Sequence, residues 1–246
     1  MAIPTFPARL AWRRNVTPHV LHLGLRRADG VPLDFVAGQF VNIHFDTPDG
    51  GTHRSYSIAN PPGESDVFEI AMSPVPGGLA TETLSALEPG DEIPVSGPYG
   101  RFILRDDAPC RYVLVGTGTG ITPYRAMLPE LRRRMEHDYS VHVLLGVWGR
   151  TEALFGEDFV AAAAEHPAFG YTACYSREKL ADLADWERQG YVQAAYDNLR
   201  LDPDRDIVYL CGNPAMIDES VEILKGRGFD LKRLRREKYV SARPAR

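Results

Sequence analysis

A chain of 246 residues with 44% hydrophobic and 25% charged residues is long enough for two domains, each with its own core, and its composition excludes a disordered polymer. Its net charge of -5 excludes a nucleic-acid binder that works through bulk positive charge. No apolar run approaches the length of a transmembrane helix, and Met1 to Pro7 lacks the basic and apolar regions of a signal peptide, so a cytoplasmic protein without a membrane span is expected.

Taken in order, the first part reads as strands. Arg9 to Arg14 and His19 to Arg26 are alternating runs separated by Asn15 to Pro18, and Val31 to Gly38 carries turn residues ahead of an apolar strand, Gln39 to Phe45. His19 and His22 fall on opposite faces of their strand, which points to surface or packing roles rather than a ligand pair. After the turn-rich Asp46 to Gly51 comes Arg54-Ser55-Tyr56-Ser57, with Arg54 and Tyr56 on one face and Ser55 and Ser57 on the other. A guanidinium forks onto phosphate oxygens, a phenol ring lies flat on an extended aromatic, and a small hydroxyl sits against one of its polar atoms. A flavin nucleotide would use all three; an ordinary half-buried strand contains the same residue types.

The turn Asn60 to Gly63, the strand Val67 to Ser73 and the loop Pro74 to Gly78 lead to one short helix, Leu79 to Leu87. Gly77 and Gly78 let the backbone approach a ligand, and Gly78, Leu79, Ala80 and Thr81 bring free amides and a hydroxyl to the helix N-terminus. This is a phosphate seat, or else a glycine loop entering a surface helix. The turn Glu88 to Asp91, the strand Glu92 to Ser96 and the segment Gly97 to Phe102 close a small antiparallel β-barrel.

Arg105 to Pro109 is a polar linker, and it divides the chain into a flavin-binding barrel domain, residues 1–105, and a nucleotide-binding α/β domain with a parallel sheet, residues 106–246. The strand Arg111 to Val115 runs into Gly116-Thr117-Gly118-Thr119-Gly120. A helix then opens at Ile121-Thr122-Pro123 and continues to about Glu136, with Pro129 expected to kink or split it. Glycines at the carboxyl end of a strand, ahead of a helix, make a diphosphate site.

The strand Ser140 to Val147, an alanine-rich helix from Glu152 to Glu165 and the strand Tyr171 to Tyr175 follow. Ser176 and Arg177 at that strand's end suit the extra phosphate of NADP better than the free ribose hydroxyls of NAD, with a solvated loop as the alternative. The last core strand, Asp206 to Leu210, ends in Cys211-Gly212-Asn213-Pro214-Ala215-Met216. Cys211 is either a small buried hydrophobe or, at a strand end pointing into a crevice, a contact to the nicotinamide. Cys110, Cys174 and Cys211 are too few for an iron–sulfur cluster and lack zinc spacing, so no metal site is expected.

With these segments in order, the chain resembles the ferredoxin–NADP reductase family over nearly its whole length. Arg54 to Ser57 matches the family's flavin motif. The resemblance implies that Arg54 binds phosphate, Tyr56 stacks on the isoalloxazine and Ser57 lies near the hydride-accepting nitrogen. Gly78 to Thr81 resembles the pyrophosphate segment of FAD-containing members. Gly116 to Pro123 resembles the pyridine-nucleotide loop, and Cys211 to Met216 the segment whose cysteine faces the nicotinamide. Plant-type members end on an aromatic residue; here Glu237-Lys238-Tyr239 is followed by Val240 to Arg246, as in bacterial members and oxygenase reductase modules. By resemblance Tyr239 lies near the flavin and Glu237 helps to move protons, while an ordinary terminal strand is the other reading. Trp148 stands where many relatives carry an arginine after the preceding strand, the nearest being Arg150.

The implied activity is hydride transfer between NADPH and FAD, followed by single-electron transfer to ferredoxin or flavodoxin. Lys232-Arg233 and Arg235 to Lys238 form a basic run expected near the flavin, and Arg132-Arg133-Arg134 forms another; either would steer an acidic carrier, or simply be a solvated face. A monomer is expected. The rival readings are a reductase component of an oxygenase, a reductase of free flavin, and a non-catalytic nucleotide-binding redox sensor.

Overall fold

Residues that alternate between apolar and polar bury one face of a strand and wet the other, and the first hundred residues do this repeatedly. In the computed structural model, which describes residues 4–48 and 50–240, they form β1 (Phe6–Thr17), β2 (Val20–Arg27), β3 (Phe40–Thr47), β4 (Gly50–Ser57), β5 (Val67–Met72), the helix α1 (Leu79–Ala86) and β6 (Glu92–Tyr99). The described chain divides into two compact units: residues up to Leu104 with Thr122–Met127, and Arg105–Ile121 with residues from Leu128 onward.

In the first unit the strand order is β4-β3-β6-β1-β2-β5, with antiparallel neighbours throughout. An antiparallel bridge between Ile58, just after β4, and Ile70 of β5 joins the two outer strands and closes the barrel. Leu10, Leu23, Leu25, Val41, Ile43, Phe68, Ile70 and Val95 fill it, joined by Leu84 of α1. The break anticipated at Asn15 to Pro18 is smaller than expected. β1 continues to Thr17 because register shifts between Leu10 and Trp12 and between Asn15 and Thr17 absorb the irregularity. His22 is fully buried, with Nε2 3.0 Å from Glu69 Oε2, a packing role as its position implied.

The second unit changes period. Near-continuous apolar strands are buried on both faces, which a parallel sheet covered by helices requires. Its elements are β7 (Arg111–Thr117), the second half of α2 (Thr122–Met135, of which Thr122–Met127 groups with the first unit), β8 (Ser140–Val147), α3 (Gly156–Glu165), β9 (Phe169–Tyr175), β10 (Glu187–Gln189), α4 (Tyr196–Leu199), β11 (Asp206–Gly212), α5 (Pro214–Gly226) and β12 (Leu234–Lys238). The order is β10-β9-β8-β7-β11-β12, all parallel. Val113, Val115, Leu144, Val208 and Leu210 pack with Ile217, Val221 and Leu224 of α5. Strand order reverses between β7 and β11, so the crevice for a nucleotide lies at their carboxyl ends.

Two local expectations need correction. Of the kink or split expected at Pro129, the split does not occur, and Pro129 lies inside a continuous α2: the proline removes one backbone hydrogen bond, and the buried Met127, Leu128 and Leu131 hold the helix on both sides of it. The helix expected from Glu152 begins instead at Gly156, after a 3-10 turn over Arg150–Glu152 and a left-handed Phe155.

Candidate active site

In the first unit, the pairing of β3 with β4 sets Arg54 opposite Ile43, Ser55 opposite Asn42, Tyr56 opposite Val41 and Ser57 opposite Phe40. Tyr56 packs partly buried against the barrel core, and burial pushes its phenol up to about 12. It is therefore a neutral aromatic surface at ordinary pH. Ser55 donates to Asn42 Oδ1 at 2.7 Å, and Ser57 is buried. Arg54 bonds only neutral atoms in its vicinity, Thr52 Oγ1 at 3.1 Å and the His53 carbonyl at 2.7 Å. Its charge has no carboxylate partner among the described residues.

Gly77 is left-handed (φ +68°), and a Cβ on Gly78 would stand 2.9 Å from the Val75 carbonyl oxygen. Thr81 Oγ1 accepts from Val75 N–H at 2.8 Å, which folds the glycine loop onto the head of α1. No side chain caps that helix.

In the second unit, the glycine loop after β7 lies against the end of β11. A Cβ on Gly120 would fall 2.4 Å from the Cys211 carbonyl oxygen, and one on Gly212 2.6 Å from Thr117 Oγ1. Asn213 N–H donates to that same hydroxyl at 2.9 Å. Gly118, by contrast, is left-handed (φ +53°) with open space where a side chain would be. A 3-10 turn over Gly118–Ile121 leads straight into α2, where no side chain supplies a cap and Thr122 Oγ1 is buried without a hydrogen-bond partner. α5 shows the other arrangement, with Asn213 Oδ1 accepting from Ala215 and Met216 N–H. First-turn amides of a helix need an acceptor, and a diphosphate provides one. The uncapped head of α1, the glycine-rich turn ahead of α2, the Thr122 hydroxyl and Arg54, which has no carboxylate partner among the described residues, thus fit flavin and nucleotide phosphates.

Cys211, Glu237 and Tyr239 come together at the carboxyl end of β11. Cys211 pairs with Glu237 across β11 and β12, Tyr239 N–H donates to the Gly212 carbonyl at 2.8 Å, and the Tyr239 side chain hydrogen-bonds the thiol. Burial, reinforced by Glu237, pushes that thiol well above its ordinary range, with Tyr239 acting in the opposite sense. Cys211 is completely buried rather than open to a crevice, with Glu237 and Tyr239 against it.

At the end of β9, the Ser176 hydroxyl donates to the Val147 carbonyl at 3.1 Å, and the Arg177 guanidinium lies 4.1 Å from the Trp148 ring centroid. Arg150 forks onto Glu187, Nε to Oε1 at 2.8 Å and Nη2 to Oε2 at 2.6 Å. Glu187 is only 1% exposed, and the Arg150 hydrogen bonds hold it at about 2 despite its burial. Arg150 thus serves the sheet edge.

The basic runs are spread out and partly ion-paired, as a solvated face would be. Lys232, Arg233 and Arg235 line a cavity of about 330 Å³ with Asp107, Cys110 and Arg205, at the amino ends of β11 and β12. Lys238 lies at the other end of β12 and pairs with Asp218 at 2.6 Å. A strand spreads consecutive residues along its length, so Lys232 to Lys238 do not gather into one patch. Arg133 and Arg134 pair with Glu130, and Arg132 with Glu165. Thr122 lies within the segment Gly116 to Pro123 already singled out in the sequence, whereas the roles of Asn42 and of the Arg150–Glu187 pair have no local signal, because each depends on pairing with a distant segment. Among the described residues, no group of three or more His, Cys, Asp or Glu side chains could hold a metal, and no helix is long and apolar enough to cross a membrane.

A barrel with an aromatic and a cation on one strand, followed by a parallel sheet with a glycine loop at its switch point, defines an FAD- and NAD(P)-binding oxidoreductase. The family models agree: an oxidoreductase FAD-binding domain matches residues 9–103 and an oxidoreductase NAD-binding domain residues 114–222. The chain is 34% identical to ferredoxin–NADP reductase B of Sorangium cellulosum, over 95% of this chain and 97% of that one. It belongs to the ferredoxin–NADP reductase family. It is also 32% identical to the reductase component of phenol 2-monooxygenase from Pseudomonas sp., over 85% of this chain and 58% of that longer protein. Among solved structures, a ferredoxin–NADP⁺ reductase from Neisseria gonorrhoeae with bound FAD and NADP shares the fold, with a TM-score of 0.82 at 21% identity over 95% of this chain and 98% of that one.

Proposed function

We propose that this chain is a cytoplasmic reductase that takes a hydride from NADPH and passes single electrons to ferredoxin or flavodoxin. FAD, when bound, supplies the two-electron to one-electron conversion that a nicotinamide lacks. The chain's own residues do the rest. Arg54, with the amides of Gly78 to Thr81, holds the pyrophosphate; Tyr56 offers its ring face to the isoalloxazine; Ser55 braces β4 through Asn42; Ser57 orients the reactive edge. Thr117, Gly118, Thr119 and the head of α2 seat the nucleotide diphosphate, with Gly116 and Gly120 permitting the loop's close packing. Gly212, Asn213 and Pro214 set the turn at the nicotinamide wall, with Cys211 packed behind Tyr239 inside that wall. A thiol held protonated shapes that wall without acting as a nucleophile, and Glu237 with Tyr239 moves protons at its edge. Ser176 and Arg177 take the extra phosphate of NADPH.

The observation that carries this reading is the pair of glycine-rich entries to helical segments, Gly77-Gly78 ahead of α1 and the 3-10 turn Gly118–Ile121 that leads into α2, with no side-chain cap at either helix. The likeness to a ferredoxin–NADP reductase over nearly both lengths supports the carrier. A component serving an oxygenase is the second reading, supported by the phenol 2-monooxygenase relative. The test is NADPH oxidation by the FAD-loaded protein with ferredoxin, flavodoxin or free FMN as acceptor. Saturable reduction of a protein carrier well above that of free FMN is expected; turnover of free FMN alone would overturn it.

A further inference from the structure

Trp148 follows directly after β8 and is 53% exposed, an unusual amount of bare indole for the carboxyl edge of a parallel sheet. It is not idle. The Trp148 carbonyl accepts from both Arg177 N–H, at 3.0 Å, and Glu178 N–H, at 2.9 Å, so the loops after β8 and β9 are bound together at this residue. The Arg177 guanidinium carbon lies 4.1 Å from the centre of its ring. Arg177 itself is exposed and has no carboxylate partner among the described residues. The adjacent acid is engaged elsewhere, since Glu178 Oε2 accepts from Arg150 N–H at 2.6 Å. Arg150, the other guanidinium of this edge, is committed to Glu187.

We propose that Trp148 is a positioning residue that sets the preference for the 2′-phosphorylated nucleotide by holding the Arg177 guanidinium ready for that phosphate. The indole face fixes the guanidinium plane by cation–π contact, and stacking leaves the N–H groups at its rim free to fork onto phosphate oxygens. An unstacked arginine would lose more side-chain freedom on binding. The inference rests on the reading of Ser176 and Arg177 as the NADPH phosphate site.

The test is calorimetric titration of the FAD-loaded protein with 2′,5′-ADP and with 5′-ADP, for the wild type and for Trp148→Ala, Trp148→Leu, Trp148→Phe and Arg177→Ala. The wild type binds 2′,5′-ADP at least about tenfold tighter than 5′-ADP. Trp148→Ala and Trp148→Leu lose about fivefold of the 2′,5′-ADP affinity and leave 5′-ADP unchanged, while Trp148→Phe, which keeps a π face, recovers most of it. Leucine fills the site without a π face, so it separates the cation–π contact from packing. If the wild type favours 2′,5′-ADP and Arg177→Ala abolishes this, yet both Trp148→Ala and Trp148→Leu keep it, the role of Trp148 is overturned and the phosphate site stands. If the wild type shows no preference, both fall.

Discussion

Glu237 stands directly beside Cys211 in the parallel register of β11 and β12, and its charge adds to burial in keeping the thiol protonated. A carboxylate next to a thiol is the opposite of what a nucleophilic cysteine needs. Cys211 should therefore resist iodoacetamide in the native protein at neutral pH, and the partly exposed Cys110 should be labelled first, slowly, because burial pushes it up to about 11. Peptide mapping after labelling checks this, and rapid modification of Cys211 would contradict it.

The same burial sets the alkaline limit of stability. Burial raises Cys211, pushes Cys174 up to about 12 and Tyr56 to about 12. A group with a raised folded pKa holds its proton more tightly when folded, so its contribution is complete below the unfolded value and is lost as pH rises through the folded one. The melting temperature should fall steadily from about pH 9 upward, and Cys174→Ala should flatten that limb in melts recorded across the range.

At the acid end the sign reverses. Hydrogen bonds from Arg150 hold Glu187 at about 2, so this pair stabilises the fold above the ordinary glutamate range and loses its effect as pH falls toward that value. Arg150→Ala strands a buried carboxylate and should lower the melting temperature at neutral pH by several degrees. Glu187→Gln should weaken the acid dependence. An Arg150→Ala protein with unchanged melting but a large loss of nucleotide affinity would show that Arg150 serves the ligand instead.

Gly120 and Gly118 should respond differently to alanine. At Gly120 the new Cβ meets the Cys211 carbonyl oxygen at 2.4 Å and the Gly212 Cα at 2.8 Å. Backbone cannot yield there cheaply, and a loss of about 3 kcal/mol is expected. At Gly118 the space is open but φ is +53°, so alanine should cost about 1 kcal/mol through backbone conformation alone. Denaturant melts of both variants give the comparison.

Ser57→Ala removes one hydroxyl from the buried end of β4 and should slow hydride transfer about tenfold, the worth of one hydrogen bond, with FAD still bound. Stopped-flow bleaching alongside the flavin-to-protein ratio tests it. Loss of the flavin would assign Ser57 to binding instead.

Features set by neighbours in sequence were legible beforehand. The Arg54 to Ser57 strand, the glycine loops before α1 and α2, and the change from antiparallel barrel to parallel sheet all follow from local pattern. What sequence could not reveal depends on pairing between distant segments. Arg150 and Glu187 are brought together by the turn of β10, and Cys211 meets Glu237 only once β12 is laid against β11. The basic run Lys232 to Lys238 looks like one patch in sequence and becomes two ends of a strand. Pro129 reads as a helix breaker, yet packing on both sides of it overrides the propensity.

The most direct test is the visible absorbance of the purified protein, followed anaerobically as NADPH and, separately, NADH is added. The account predicts a yellow protein whose flavin band bleaches with either nucleotide and much faster with NADPH. A colourless protein that remains unreactive to NADPH after incubation with FAD would contradict it.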